Sequence, residues 1–322
     1  MTREALVAIS AGLTSAIASV AFLSGSFLAF FIVYLAPLPM LLAGLSYGLR
    51  AAAIAAFAWI VAMGFLGGFQ TAGFFVMTHA LPAWVIVKLA LLARTEVLDA
   101  NGTGTLRWMD PGQIVSVMTA LAAGLLVLAA LAVGDVGLSG YLAGQLEQTF
   151  KLVAPEMEAM TGTRIASTIT PMLPGVVLTS WLVMMAVNAA IAQGLLVRIG
   201  RNRRPSPSYV GLELPGWLSW PLVGAAAMAL VGSGEWEYMG RNLAMVLALP
   251  YFFLGLAVFH TLARRVSATK PLLVAFYLVI VISVWAALVV AGIGVVEQWF
   301  GLRGRIASPG PQNGPTGGPD EE

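Results

Sequence analysis

The side chains best suited to chemistry are few, and they lie inside long apolar stretches. His79 and Pro82 are three residues apart and share a helix face, as do Thr71 and Thr78, seven apart, with Gln70 beside Thr71. Pro82 has no N–H to offer the carbonyl of Thr78, which leaves a free acceptor. Trp181 and Asn188, again seven apart, mark one face of another stretch, and Gln193 follows further along it. In apolar surroundings an imidazole or amide needs a partner, on a neighbouring helix or on a ligand. Gln70, Thr71, His79, Trp181 and Asn188 are therefore the candidate contacts for a small molecule. The plainer alternatives stay open: a neutral His79 held by a neighbouring carbonyl, and Asn188 as a link between helices.

Nothing points to catalysis. There is no Gly-x-x-x-x-Gly-Lys-Ser/Thr, no His-Glu-x-x-His and no Gly-x-Ser-x-Gly. The absence of Cys excludes thiolate metal sites and disulfides, and with His79 and His260 as the only histidines a zinc site has too few ligands. The acidic residues fall between the apolar stretches, which weighs against proton-coupled chemistry inside them. Glu235 and Glu237 flank Trp236 and could attract a cation, or could belong to a solvated loop. The chain is read as a non-enzyme without cofactor or metal.

The elements that must position these residues follow from composition. Of 322 residues 59% are hydrophobic and 10% charged, against roughly 25% charged in soluble domains. Mean hydropathy is +0.88. A soluble enzyme, a disordered chain and a nucleic-acid binder are all excluded, and the main partner is a lipid bilayer. Apolar runs without alternation predict helices rather than a barrel. Nine spans are expected, at 5–23, 27–48, 50–67, 71–93, 113–133, 172–197, 217–232, 240–263 and 271–297. The seventh is short for the roughly 20 residues a crossing needs. Ala16-Ile17-Ala18 resembles a cleavage site, but the preceding segment carries only Arg3, beside Glu4, so the first span is read as retained.

Charge sets an orientation. With the N-terminus inside, 12 of the 17 Lys and Arg residues fall in inside segments, including Arg198, Arg201, Arg203 and Arg204 after the sixth span. This predicts a multi-pass protein of a bacterial inner membrane with a cytoplasmic N-terminus. Residues 94–112 read as a polar cytoplasmic loop. Residues 134–171 read as an outer segment in which Leu142, Leu146, Phe150, Val153, Met157 and Met160 give an amphipathic helix divided by Pro155. The Pro-interrupted linker 201–208 separates a six-span unit, 1–200, from a three-span unit, 209–300, and 301–322 is a disordered tail. Pro37-Leu38-Pro39 must bend the second span, as a packing kink or as a broken helix lining a cavity. On the first span Ala8, Gly12 and Ala16 recur every four residues, a face that admits close approach of another helix, inside the chain or on a partner.

The run Pro37-Leu38-Pro39-Met40-Leu41-Leu42-Ala43-Gly44-Leu45 through Gly48, the Gly67-Gly68 turn and the long amphipathic outer segment resemble the YybS-like family of bacterial membrane proteins. Over its first six spans that family looks similar to the S components of energy-coupling-factor transporters. The resemblance implies an all-α polytopic bundle that binds a small molecule near its outer face. It also implies Ala8, Gly12 and Ala16 as docking positions for coupling or ATPase subunits. The extra three-span unit departs from that pattern. The alternative is a non-transport scaffold or assembly factor that holds a cytoplasmic partner through Arg198–Arg204 and residues 94–112.

Overall fold

A computed structural model describes residues 2–21, 26–98, 104–153 and 159–307. The chain opens with α1 (Arg3–Val20), α2 (Phe27–Tyr34), α3 (Leu38–Tyr47) and α4 (Leu49–Phe75). A single π-helical turn, Val76–Ala80, leads into α5 (Leu81–Ala90). Two short strands follow, β1 (Ala93–Leu98) and β2 (Gly104–Trp108), then α6 (Pro111–Val133), α7 (Leu138–Val153), α8 (Ala159–Ile169) and α9 (Leu173–Arg198). The remainder is α10 (Ser219–Val231), α11 (Glu235–Ala263), α12 (Thr269–Ile282), α13 (Val284–Phe300) and the short α14 (Leu302–Ala307).

Among the described residues six helical stretches are long and apolar enough to cross a membrane, or seven if the bent pair α12 and α13 is one span; the nine expected are not all recovered as separate long helices. Three features account for the difference. The run 49–90 is 42 residues long and counts once in that tally. As one straight helix it would measure about 63 Å, twice a bilayer core of roughly 30 Å. It is not straight: Gly68 adopts φ +79°, which an L side chain resists, and the chain turns back there. Trp59 and Phe75 consequently stack with ring centroids 6.5 Å apart. On a continuous helix sixteen residues would separate them by about 24 Å. Next, α10 has only 13 residues. Last, α12 and α13 meet at Ser283 with a bend of 115°.

Within 94–112 the described residues form paired strands where a polar loop is expected from sequence. β1 and β2 form an antiparallel hairpin in which Arg94 faces Arg107 across the ladder. Asn101, Gly102 and Thr103 lie outside the described residues. So do Pro155 and Met157 of the amphipathic segment, and 308–322 of the tail. The described parts of the amphipathic segment include α7 and α8, and in α7 Leu138 and Leu142 pack with Leu126, Tyr238 and Met239.

Two compact units divide at Pro250, inside α11. In the first unit, α1 lies against α4. Ala8, Gly12 and Ala16 are all buried there, and a Cβ on Gly12 would collide with the carbonyl oxygen of Ala55. The small-residue face thus serves packing inside the chain. In the second unit α11 and α13 approach as closely, through Gly255 against Val290 and Gly294 against Tyr251. Glu297 closes the end of α13 by accepting from the backbone N–H (2.9 Å) and Nε (2.7 Å) of Arg303.

A Gly12→Leu substitution must push α1 away from the Ala55 backbone, at a cost of about 1–3 kcal/mol. Thermal unfolding in detergent should show the loss. Gly124→Ala, where a Cβ meets nothing within 4 Å, should leave the melting temperature unchanged or raise it.

Candidate functional site

The polar side chains of the first unit gather where its helices break. Pro82 cannot donate to Thr78, and the π turn places that freed carbonyl in front of α9. The indole Nε1 of Trp181 donates to it at 2.6 Å. The Thr78 hydroxyl donates to the Phe74 carbonyl and lies 2.7 Å from Nδ1 of His79. With the hydroxyl proton committed to Phe74, Nδ1 of His79 carries the proton and donates to Thr78. The buried His79 ring packs against Phe75 and Trp59, with centroids at 5.1 and 5.7 Å. Trp59 is fully buried, and its Nε1 donates to Ser19 of α1 at 3.1 Å. A continuous set of contacts thus runs from α1 through α4 and the π turn to α9.

The second break lies between α2 and α3. The prolines there stop the helix, and the Leu38 N–H turns to Leu35 rather than to Tyr34. Nδ2 of Asn188 donates to the Tyr34 carbonyl at 2.8 Å and to Met184 at the same distance. The Tyr34 hydroxyl answers by donating to Ser180 at 2.9 Å. The Oδ1 atom of Asn188 is buried with no partner.

Of the five candidate contacts, His79 and Trp181 meet through Thr78, and Asn188 stands on the same helix as Trp181, two turns along. Gln70 and Thr71 do not join them. Gln70 is exposed beside the Gly68 turn, and Thr71 donates to the Gly67 carbonyl at 2.6 Å.

Two further polar residues play parts that motif reading missed. Asn242 of α11 is fully buried. It accepts from the Gly175 N–H at 2.8 Å and donates to the carbonyls of Pro171 (3.0 Å) and Tyr238 (2.8 Å). It therefore caps the start of α9, where N–H groups lack helical partners. Glu235, two turns earlier on the same helix, accepts from the Leu138 N–H (2.7 Å) and the Ser139 hydroxyl (2.6 Å), capping α7. Neither a cation site nor a solvated loop describes this carboxylate, and Glu237 pairs instead with Arg241. Asn and Glu at a seven-residue spacing on an apolar helix were the available signal.

The Arg cluster after α9 is divided in use. Nη1 of Arg203 donates to the Tyr47 carbonyl at the end of α3 (2.8 Å), and Nη1 of Arg204 to the Ala90 carbonyl at the end of α5 (3.2 Å). Both supply positive charge where a helix dipole ends negative. Arg204 is buried, and burial holds its guanidinium below the usual value against the opposing pull of Tyr209 and Asp110. Gln193 and Asn202 fix the Arg204 carbonyl at 3.0 and 2.7 Å. Arg198 and Arg201 stay exposed.

Several long apolar helices, closed on themselves by buried amides and indoles, define a polytopic α-helical membrane protein. The comparison with known families agrees: the chain belongs to the family described as predicted membrane protein (DUF2232), whose model matches residues 12–297. No curated protein and no solved structure matches it.

Replacing Trp181 by Phe should strand the Thr78 carbonyl and cost about 1–3 kcal/mol, read from thermal unfolding in detergent. Asn242→Ala should cost as much and also speed proteolysis within 134–175, because the start of α9 loses its cap while Glu235 still holds α7.

Proposed function

We propose that the protein is a non-transport membrane scaffold that holds a partner at its basic end, the cytoplasmic end on the positive-inside reading. The observation that carries this is the use of the interior polar groups. Trp181 Nε1, Asn188 Nδ2 and His79 Nδ1 bond the chain's own backbone and hydroxyls, so most of the groups that would have met a solute are already engaged. The basic end presents exposed charge: Arg94 and Arg107 sit opposite one another on the β hairpin and both are exposed, as is Arg198, with Arg107 lying 4.0 Å from Asp110. A two-stranded ribbon with paired guanidinium groups suits an acidic protein surface.

The test is affinity purification from native membranes in mild detergent. A partner should be recovered at a fixed ratio with the unaltered protein. Its recovery should fall several-fold with an Arg94→Gln, Arg107→Gln, Arg198→Gln triple substitution at unchanged melting temperature. Equal recovery, or no stoichiometric partner from either protein, defeats the scaffold reading.

A second reading, a bundle that binds a small molecule as the energy-coupling-factor S components do, is favoured by one detail. Asn188 Oδ1 and Thr179 Oγ1 are buried without a partner, on the same helix whose Trp181 reaches the π turn that carries His79. Such turns occur often at functional sites. A co-purifying small molecule lost on Asn188→Leu would favour it.

A further inference from the structure

One group of polar residues serves neither the helix breaks nor the hairpin. Arg3 and Glu4 in the first turn of α1, Ser46 and Tyr47 at the end of α3, and Arg201 beyond α9 line an open hollow of about 390 Å³. The Ser46 hydroxyl is turned back onto Leu42 at 2.7 Å and offers little to a ligand. Nη1 of Arg201 donates to the Tyr47 hydroxyl oxygen at 3.5 Å, which leaves the hydroxyl's own proton and the rest of the guanidinium to donate into the hollow. Beneath them Arg203 neutralises the end of α3 by donating to the Tyr47 carbonyl. The positive end of the α1 dipole adds to the two guanidinium groups, while Glu4 subtracts one charge. Every wall of the hollow belongs to the terminus of a long apolar helix, the level at which lipid headgroups meet a membrane protein.

We propose that this hollow binds the phosphate of a membrane lipid headgroup, with Arg3, Arg201 and the Tyr47 hydroxyl as donors. The formal balance of two Arg against one Glu matches the single negative charge of a phosphodiester better than a dianionic free phosphate. The volume suits a headgroup rather than a bare ion. The proposal is independent of the scaffold reading, whose residues are Arg94, Arg107 and Arg198.

The experiment uses the purified, delipidated full chain in detergent and native mass spectrometry. The probes are phosphatidylglycerol and diacylglycerol of the same acyl chains. The unaltered protein should retain phosphatidylglycerol in preference to diacylglycerol. An Arg3→Gln, Arg201→Gln double substitution should lower phosphatidylglycerol retention roughly tenfold, and Arg198→Gln should not. Tyr47→Phe, which removes one donor and no charge, should cause a smaller loss in the same direction at unchanged melting temperature. A parallel arm adds inorganic phosphate. If it displaces phosphatidylglycerol or alone raises the melting temperature through Arg3 and Arg201, the lipid assignment is overturned in favour of a soluble phosphate. Equal lipid retention by the double variant and the unaltered protein overturns the site altogether.

Discussion

A backbone carbonyl or N–H released inside an apolar layer has no water to turn to, and the first unit is organised around that penalty. Prolines create it at Pro37, Pro39 and Pro82, and the start of α9 adds N–H groups of its own. Backbone N–H groups of Ala36 and Leu38 meet the carbonyls of Val33 and Leu35, and side chains from other helices meet the rest: Asn188 for the carbonyl of Tyr34, Trp181 for that of Thr78, and Asn242 for Pro171 and Gly175. Two of the three stand on α9, which makes that helix the member against which both kinks are set. The breaks and the polar residues are thus one arrangement seen from two sides. Removing either half leaves the other as a buried unsatisfied group.

The same logic extends to charge. A surplus of Arg at one end of a membrane protein is commonly read as an orientation signal. Here Arg203 and Arg204 also do structural work, since each closes a helix whose last carbonyls would otherwise face no donor. Glu235 does the converse at the opposite helix pole, placing a carboxylate on the first N–H groups of α7. Arg203, Arg204 and Glu235 each sit at a helix end that carries the complementary partial charge.

Much of the fold could be read from the residues. Apolar runs located the helices, Pro82 predicted the orphan carbonyl of Thr78, and Gly67-Gly68 marked the turn between two spans. The identity of each partner could not be read, because it depends on which helices become neighbours. Nothing in the spacing of Trp181 says that its indole will reach Thr78, and nothing near Asn242 names Gly175. Nor does composition show that the first half of α11 is seated against α6, α7 and α10. Paired strands were missed at 93–108 because a short polar hairpin carries no apolar alternation to reveal it.

The cap that Asn242 places on α9 has a consequence for how the chain is made. Pro171 and Gly175 precede it by 71 and 67 residues. At roughly 5–20 residues per second a ribosome needs several seconds to cover that interval. Until then the first turn of α9 lacks this partner. Helix α11 therefore locks a structure begun well upstream, and a nascent chain halted before residue 242 would hold the residues of α1 to α10 with the start of α9 still uncapped.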